Sequence, residues 1–299
     1  MTDQDLNGKV IVITGASSGF GKGAALAFAE AGASVVLAAR RGELLDELAN
    51  ECVAKGGKAL AVPTDVSEKT DVEQLAHAAV AAFEHIDVWI NNAGQAALGR
   101  FEAIPLNDHV QVIKTDLLGT VYGSYFALQQ FHRQQAGTLI NVSSVLGKIP
   151  SPYYASYAAS KYGITGLSAA LRQEVAENHE DSIHICTVYP MSHDTPFFDH
   201  ASNYSGHEVT PIPPLYDPQE VVDTLVRLAT DPKDEVIVGN AGKLMVPAHG
   251  LTPGLVEGMM AKETQAALID HAPPAQDTQD NIYRPTAEGT EVSGGRLKK

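Results

Sequence analysis

The chain has 299 residues, of which 44% are apolar, so it is long enough to bury a substantial core in one or two domains. Its formal net charge of −15, without a stripe rich in Lys and Arg, argues against binding to nucleic acid or to anionic membranes. No run reaches the roughly 18 apolar residues that a membrane-spanning helix requires.

Strand-like and helix-like segments alternate along the chain. Apolar runs rich in β-branched residues predict strands at Val10–Thr14, Ser34–Ala39, Ala59–Val62, Val88–Ile90, Thr138–Val142, His184–Val188 and Glu235–Val238. Helical apolar spacing predicts helices at Phe20–Ala31, Glu43–Lys55, Glu68–Phe83, Leu106–Gln134, Tyr154–Asn178 and Asp217–Ala229. We expect the two longest of these helices to bend. The alternation predicts an α/β fold, a Rossmann-like doubly wound parallel sheet of about seven strands with helices on both faces.

A glycine-bearing turn joins the first predicted strand to the first helix. Gly15, Gly19 and Gly21 let the backbone turn tightly and approach a pyrophosphate, and Ser17 and Ser18 add hydroxyl donors. The free N–H groups at the helix N-terminus favour an anion there. The spacing Gly-x-x-x-Gly-x-Gly differs from the standard dinucleotide fingerprint. It predicts a dinucleotide site, and a purely structural turn is the alternative.

Two arginines follow the second predicted strand. Arg40 lies nineteen residues beyond Gly21, where the residue that meets the adenosine ribose is expected. A guanidinium suits a 2′-phosphate, whereas a carboxylate would suit a free 2′-hydroxyl. Arg40 and Arg41 therefore predict NADP(H) in preference to NAD(H). The alternative is that both arginines are solvated residues leading into a helix.

A phenol and an ammonium group are spaced one helical turn apart at Tyr157 and Lys161. Tyr153, Tyr154 and Tyr162 have no lysine four residues later. A nearby positive charge lowers the pKa of a phenol, which can then exchange a proton during the interconversion of an alcohol and a carbonyl. Ser144, at the end of a predicted strand, is placed to hold the substrate oxygen. Such a Tyr-Lys pair is also common on ordinary helix surfaces.

Together these stretches resemble the short-chain dehydrogenase/reductase family, in its single-domain Ser-Tyr-Lys form, over about Gly8 to Thr195 and more weakly to Gly242. The matching motifs are "TGASSGFG", "TDVS", "NNAG" and "SS…YAASK". The resemblance implies an NADP-dependent oxidoreductase that transfers hydride between an alcohol and a ketone or aldehyde, with Tyr157 as general acid/base. A catalytically silent nucleotide-binding sensor or scaffold is the alternative.

The resemblance also assigns residues to the site. It implies that Ser144, Tyr157, Lys161 and Asp116 are catalytic. The expected cofactor contacts are Gly15, Ser17, Ser18, Gly19, Phe20, Gly21, Arg40, Arg41, Asp65, Val66, Asn91, Ala93, Gly94, Tyr157, Lys161, Pro190 and Thr195.

Three positions depart from the family pattern. Asp116 stands where the family commonly has an asparagine that is thought to hold a relay water. Met191 replaces a glycine, and His193 stands where an aliphatic residue is common. We expect His193, with Tyr154 and Phe197, to contact the substrate. No metal is expected, because the eleven histidines are scattered and the two cysteines lie far apart.

Two segments break the alternation. Residues 191–216 are rich in Pro, His and aromatics and are a candidate substrate lid within a single domain of residues 1–271. The polar composition of residues 272–299, rich in Pro, Gly and Thr, predicts a flexible or surface-draped tail that Ile282 and Tyr283 could anchor. The resemblance implies a homodimer or homotetramer formed through the helices of Asp116 and Tyr157. The N-terminus lacks secretory features, so we expect a cytoplasmic location.

Overall fold

The computed structural model describes residues 6–297, and its centre is a parallel sheet. The strands are β1 (Val10–Thr14), β2 (Ser34–Ala39), β3 (Lys58–Pro63), β4 (Val88–Asn91), β5 (Ala97–Gly99), β6 (Gly137–Val142), β7 (Ile183–Pro190), β8 (Ser202–Tyr204) and β9 (Glu235–Val238). Seven of them pair in the order β3-β2-β1-β4-β6-β7-β9, and β5 pairs with β8 in a separate parallel ribbon.

The helices cover both faces of this sheet. They are α1 (Gly19–Glu30), α2 (Gly42–Ala54), α3 (Lys69–Phe83), α4 (Leu106–Ile113), α5 (Gly119–Gln134), α6 (Ala155–Glu177), α7 (Phe197–His200), α8 (Gln219–Leu228), α9 (Asn240–Leu251), α10 (Pro253–Gln265) and α11 (Asp280–Tyr283). The predicted doubly wound sheet is therefore confirmed. None of the helices within residues 6–297 is both long and apolar enough to cross a bilayer.

Alternating side chains of each central strand supply two separate cores. In β1, Ile11 and Ile13 pack on one side with α1, while Val10 and Val12 pack on the other side with residues of α3 and α5. Successive residues of a strand point to opposite faces, and a sheet covered on both sides needs apolar residues at every position. This requirement explains why the strands read as continuous apolar runs rather than alternating ones.

The order of the strands reverses beside β1. The chain moves outward from β1 to β2 and β3, then returns to place β4 on the other side of β1. The crossovers diverge there, and a crevice opens beyond the carboxyl ends of the two strands. Ligands of open α/β sheets bind at such a point, so the fold itself positions a site.

The helix predicted over residues 106–134 is interrupted by one wide turn. Residues Lys114–Leu118 form a π turn between α4 and α5, closed by a hydrogen bond from the Gly119 amide to the Lys114 carbonyl. Beyond it α5 runs close to the sheet, because a Cβ on Gly123 would lie 2.0 Å from Asn91 Oδ1. The second long helix, α6, is unbroken over 23 residues, and the expectation that it bends stays a prediction.

The tail lies along the surface and contacts the segment 191–216. Asn203 and Thr278 exchange backbone hydrogen bonds of 2.9 and 2.8 Å. Ile282 is buried beside Ile104, and the Tyr283 hydroxyl donates to Asp108 Oδ1 at 2.8 Å. Both residues expected to anchor the tail thus have protein partners. The assignment of residues 1–271 to a single domain stays a prediction.

Candidate active site

A cavity with about 1670 Å³ of empty space, including its mouth, lies at the carboxyl ends of β1, β4, β6 and β7. Most of the predicted site residues line it. They are Gly15, Ser17, Ser18, Gly19, Phe20, Arg40, Arg41, Asp65, Val66, Ala93, Gly94, Ser144, Tyr154, Tyr157, Lys161, Pro190, His193, Thr195 and Phe197. The structure thus brings together residues that are up to 182 positions apart, from Gly15 to Phe197.

Three predicted site residues lie behind the cavity wall. A Cβ on Gly21 would lie 2.2 Å from the Gly15 carbonyl oxygen, so this glycine allows α1 to pack against the turn. Asn91 accepts a hydrogen bond from Trp89 Nε1 at 2.8 Å and donates to Asn141 Oδ1 at 2.9 Å. Its amide is engaged in the core, and it is the next residue, Asn92, that lines the cavity. Asp116, the third, lies behind Lys161.

The glycine turn is held against the end of β4. Gly15 has φ of +68°, and a Cβ there would lie 2.8 Å from the Cα of Ala93. The Asn92 amide donates to the Thr14 carbonyl oxygen at 2.9 Å and to that of Gly15 at 3.3 Å. Only glycine combines this close approach with a positive φ at low cost. The turn leaves the N-terminus of α1 directed at the cavity.

The two arginines stand at one end of the cavity, near the turn. Arg41 donates to the Ser17 hydroxyl from Nε at 3.1 Å and from Nη2 at 2.9 Å. Burial lowers the pKa of both guanidinium groups. The negative charge of Asp65 opposes this fall for Arg40. The positive charge of Arg40 lowers the pKa of Arg41 further. Two adjacent, half-buried cations form a strong anion-binding site.

The predicted catalytic residues share one wall of the cavity. Ser144 follows β6, and its hydroxyl oxygen accepts a hydrogen bond from the Leu146 amide at 3.1 Å. Tyr157 lies in the first turn of α6, and the Ser144 side chain acts to lower the pKa of its hydroxyl. Lys161 Nζ lies 5.3 Å from the centre of the Tyr157 ring. The phenol and the ammonium group thus occupy the same face of the helix, as the spacing predicts.

Behind this wall, Lys161 forms a buried ion pair with Asp116. Lys161 Nζ lies 3.7 Å from Asp116 Oδ2 and donates to the Val142 carbonyl oxygen at 3.1 Å. Asp116 Oδ1 accepts from the Gln95 amide at 2.8 Å. Burial raises the pKa of Asp116 to about 6, although the positive charge of Lys161 opposes this rise. Burial lowers the pKa of Lys161, and Asp116 opposes this fall.

The pKa of Tyr157 is raised rather than lowered. Burial is the largest cause, the negative charge of Asp116 adds to it, and the hydrogen bond with Ser144 acts in the opposite direction. The sequence predicts a lowered pKa, because it pairs Tyr157 with Lys161 alone. In the structure Lys161 Nζ lies close to Asp116 and to the Val142 carbonyl oxygen as well as to the Tyr157 ring, so its charge does not act on the phenol alone. The phenol is therefore protonated near neutral pH and able to donate a proton.

Two aromatic side chains that line the cavity pack beside the Tyr157 ring. The centre of the Phe197 ring lies 5.5 Å from that of Tyr157, and the Tyr154 ring lies 6.1 Å away. These contacts create an apolar compartment next to the reactive oxygen.

His193 lies in the segment 191–216 with Phe197 and packs against Phe20, with 5.5 Å between ring centres. Its Nδ1 lies 2.9 Å from the Met191 carbonyl oxygen, which can only accept, so Nδ1 carries the proton. Burial lowers the pKa of His193 and favours the neutral ring. Its Nε2 has no hydrogen-bond partner among residues 6–297. His193 thus keeps one buried acceptor nitrogen without a partner in the described part of the chain.

Some residues that line the cavity lie outside the motifs that the sequence analysis identifies. Gln95 follows the "NNAG" motif directly, and its amide donates to the Thr115 hydroxyl at 3.0 Å. Ile212 and Met260 also line the cavity, and Met260 comes from α10, far outside the recognised motifs.

Within the described part of the chain, no three metal-binding side chains of His, Cys, Asp or Glu lie close enough to hold an ion.

A family model described as short chain dehydrogenase matches residues 9–204. Two curated relatives show how far the similarity extends. The uncharacterized oxidoreductase YxnA of Bacillus subtilis (strain 168) is 33% identical over 259 residues, covering 86% of this chain and 72% of its own length. The 3beta-hydroxysteroid dehydrogenase 1 of Eggerthella lenta is 34% identical over 237 residues, covering 76% and 88%.

Two solved structures have a similar fold. An alcohol dehydrogenase from the archaeon Thermococcus sibiricus, complexed with 5-hydroxy-NADP, is 25% identical with a TM-score of 0.66, covering 77% of this chain and 95% of its own. A short-chain dehydrogenase/reductase from Burkholderia phymatum, in complex with NAD, has a TM-score of 0.74 at 24% identity, covering 84% and 96%. The second likeness shows the fold alone.

Proposed function

From the premise that this chain belongs to the short-chain dehydrogenase family, we propose that it interconverts an alcohol and a ketone or aldehyde using NADP(H). The chain is an NAD(P)-dependent oxidoreductase that acts on CH–OH groups. One observation carries the finer proposal. Ser144, Tyr157 and Lys161 share one wall of a cavity that also reaches the glycine turn and the arginine pair.

The residues present fit a nicotinamide dinucleotide. The cavity runs from Arg40 and Asp65 at one end to Thr195 and Phe197 at the other. Amide groups of the turn and of the α1 N-terminus lie between these ends, where a pyrophosphate would need donors. When bound there, a nicotinamide supplies the hydride for reduction or accepts it for oxidation.

In the reducing direction we assign the proton to Tyr157. The carbonyl carbon gains the hydride and the carbonyl oxygen gains the Tyr157 hydroxyl proton, so the product is the alcohol and the residue is left as a phenolate. Ser144, which lines the same cavity as Tyr157, orients the same substrate oxygen. The ammonium group of Lys161, near the ring, stabilises the phenolate that forms. The raised pKa of Tyr157 favours its protonated form as the starting state.

We propose that Asp116 helps to return a proton to this phenolate. Its carboxylate is fully buried, is paired with Lys161 and has a pKa raised to about 6. A group with this pKa can hold or release a proton near neutral pH, whereas the asparagine common in the family cannot. We propose that Asp116 and Lys161 together hold the water that relays the proton.

We propose an apolar or cyclic substrate, held between Tyr154, Phe197 and His193. The aromatic compartment beside Tyr157 supports an apolar body for the substrate. His193 also lines the cavity, and its lowered pKa favours an uncharged ring there. The name of the Eggerthella lenta relative, a hydroxysteroid dehydrogenase, is consistent with such a ring system.

Mixing the protein with NADPH and a panel of linear and cyclic ketones and aldehydes tests the proposed reaction. We expect consumption of NADPH that depends on the carbonyl compound, with the matching alcohol as product. Cyclic and apolar ketones are expected to give the highest kcat/KM. Binding of NADPH without turnover across a broad panel would instead favour the nucleotide sensor.

Replacing Arg40 with alanine tests the preference for NADP(H). Charge-assisted hydrogen bonds contribute about 1.5–3 kcal/mol, so we expect the Kd for NADPH to rise roughly 10- to 100-fold. The Kd for NADH is expected to change little, because it lacks the 2′-phosphate. Titration of both nucleotides by fluorescence measures this, with Arg100→Ala as a control that removes an exposed arginine paired with Glu102. An unchanged Kd for NADPH would support NAD(H) as the cofactor.

We also propose assembly into a homodimer or homotetramer through α5 and α6. Tyr125 of α5 and Tyr162 of α6 are large and exposed, and Leu106 and Val110 of the adjoining α4 are exposed as well. An apolar surface spread over neighbouring helices is typical of a surface that associates.

A further inference from the structure

The C-terminal residues 282–297, called the strap below, cross the mouth of the cavity. The strap begins where Arg40 Nη1 donates to the Ile282 carbonyl oxygen at 3.3 Å. Pro285 then lines the cavity itself. The strap continues past the N-terminus of α1 and ends against the segment that carries Thr195. It therefore runs from the end of the cavity assigned to the adenosine to the end assigned to the nicotinamide.

Arg41 uses all of its hydrogen-bonding capacity in this arrangement. Nη1 donates to the carbonyl oxygens of Thr286 at 3.3 Å and Glu288 at 3.1 Å. Nε and Nη2 donate to Ser17 Oγ, and Nη2 also reaches the Ser17 carbonyl oxygen at 3.3 Å. A guanidinium carries five N–H groups, and these five contacts account for all of them. A phosphate can reach Arg41 only by replacing one of these acceptors.

The strap also uses an amide at the N-terminus of α1. The Gly19 amide, the first of the helix, donates to the Glu291 carbonyl oxygen at 2.9 Å. Val292 follows and lies beside Gly23, since a Cβ on that glycine would be 3.1 Å from Val292 Cγ1. A helix N-terminus binds phosphate through such free amides. A carbonyl oxygen of the strap thus stands in for a phosphate oxygen.

The end of the strap is fastened to Asp194, a fully buried carboxylate next to Thr195. Asp194 Oδ2 accepts from the Ser293 hydroxyl at 3.0 Å and from the amides of Arg296 and Leu297 at 2.8 and 3.0 Å. The Arg296 guanidinium pairs with Asp199 and lies 5.6 Å from the centre of the Phe198 ring. These contacts with Asp194, Asp199 and Phe198 hold the end of the strap in place.

We propose that the strap is an autoinhibitory segment that competes with the phosphates of the cofactor for Arg41 and the Gly19 amide. The proposal deepens the proposed function, because it rests on NADP(H) binding in this cavity. Binding of the nucleotide requires the strap to release both groups. The competition is stronger for NADP(H) than for NAD(H), since the 2′-phosphate is the group assigned to the arginines.

Two variants that release the strap test this. A chain ending at Pro285 removes the crossing part of the strap but keeps the buried Ile282 and the Tyr283–Asp108 hydrogen bond. Arg296→Ala keeps the whole strap and weakens its fastening. We expect the Kd for NADPH to fall about tenfold in the shortened chain, the equivalent of one or two hydrogen bonds no longer broken on binding. A smaller fall is expected for Arg296→Ala.

Fluorescence titration with NADPH and NADH gives the affinities, and stopped-flow mixing gives the association rates, which are expected to rise in both variants. Arg100→Ala is the matched control for the loss of an arginine, and thermal unfolding checks that each variant folds. An NADPH affinity that fails to rise in either folded variant, or that rises no more than the NADH affinity, overturns the proposal. If neither nucleotide binds to any form, the proposed function fails together with it. If NADPH binds with the same affinity to the parent and to both variants, the autoinhibitory role of the strap is rejected and the proposed function is not.

Discussion

Replacing Tyr157 with phenylalanine is expected to lower kcat for carbonyl reduction by about two to four orders of magnitude. The variant keeps the ring that packs against Phe197 and Tyr154 and loses only the hydroxyl that donates the proton. We therefore expect the Kd for NADPH to stay within about threefold of the parent value. The free energy of unfolding should change by about 1 kcal/mol or less, because only one hydroxyl is removed and the packing of the ring is kept.

Tyr162→Phe is the matched control for this experiment. Tyr162 lies on the same helix, five residues later, but it is exposed and lies outside the cavity. Steady-state kinetics with the best ketone of the panel should show near-parental kcat for this control. If Tyr157→Phe also turned over at the parental rate, the assignment of the proton to Tyr157 would be wrong.

Replacing Lys161 with methionine is expected to abolish most activity and to destabilise the fold near neutral pH. The side chain is 4% exposed and its partner Asp116 is 0% exposed, so the substitution leaves a buried carboxyl without its positive charge. Removing one member of a buried ion pair costs about 3–5 kcal/mol. We expect a loss of this size in the free energy of unfolding, measured by urea denaturation at about pH 8.

The loss is expected to depend on pH with a definite sign. The pKa of Asp116 is raised from 3.8 to about 6, so the folded chain binds this proton more tightly than the unfolded chain does. The stability gained from that proton is complete below about pH 3.8 and is lost as the pH rises through 6. Without Lys161 the pKa of Asp116 rises further. Parent and variant should thus differ least at about pH 5 and diverge above it.

The double variant Lys161→Met with Asp116→Asn separates stability from catalysis. It replaces the unpaired carboxyl by a neutral amide of the same shape, so most of the lost stability should return at about pH 8. Activity should not return, because the charge that stabilises the Tyr157 phenolate is still absent. The buried ion pair would be contradicted if Lys161→Met were as stable as the parent at that pH. It would also be contradicted if the double variant were no more stable than Lys161→Met.

Local sequence pattern is sufficient to predict most of the sheet. The limits of β1, β2 and β9 match the predicted runs, because strands buried on both faces need continuous apolar residues. The ribbon of β5 and β8 was not predicted. Each of its strands has only three residues, and their pairing depends on distant contacts. α9 was also missed, since it contains Pro247, which normally argues against a helix interior.

The predicted site depends in the same way on local spacing. Tyr157 and Lys161 are four residues apart on one helix, so their shared face follows from the sequence. Asn91 is the last residue of β4, and Asn92 follows it. Only Asn92 lines the cavity, and the motif alone does not show which of the two does so. The contact of Arg41 with Glu288 joins residues 247 positions apart. No local pattern contains that information.

The π turn at Lys114–Leu118 fixes how this part of the chain can vary. Each residue of a regular helix advances the side-chain direction by about 100°, and the wide turn absorbs one additional residue. Deleting a single residue between the turn and Gly123 would not be absorbed in this way and would rotate the rest of α5 by about 100°. Gly123 would then turn away from Trp89, and a bulkier neighbour would meet the sheet. Length in this helix is therefore constrained as tightly as composition.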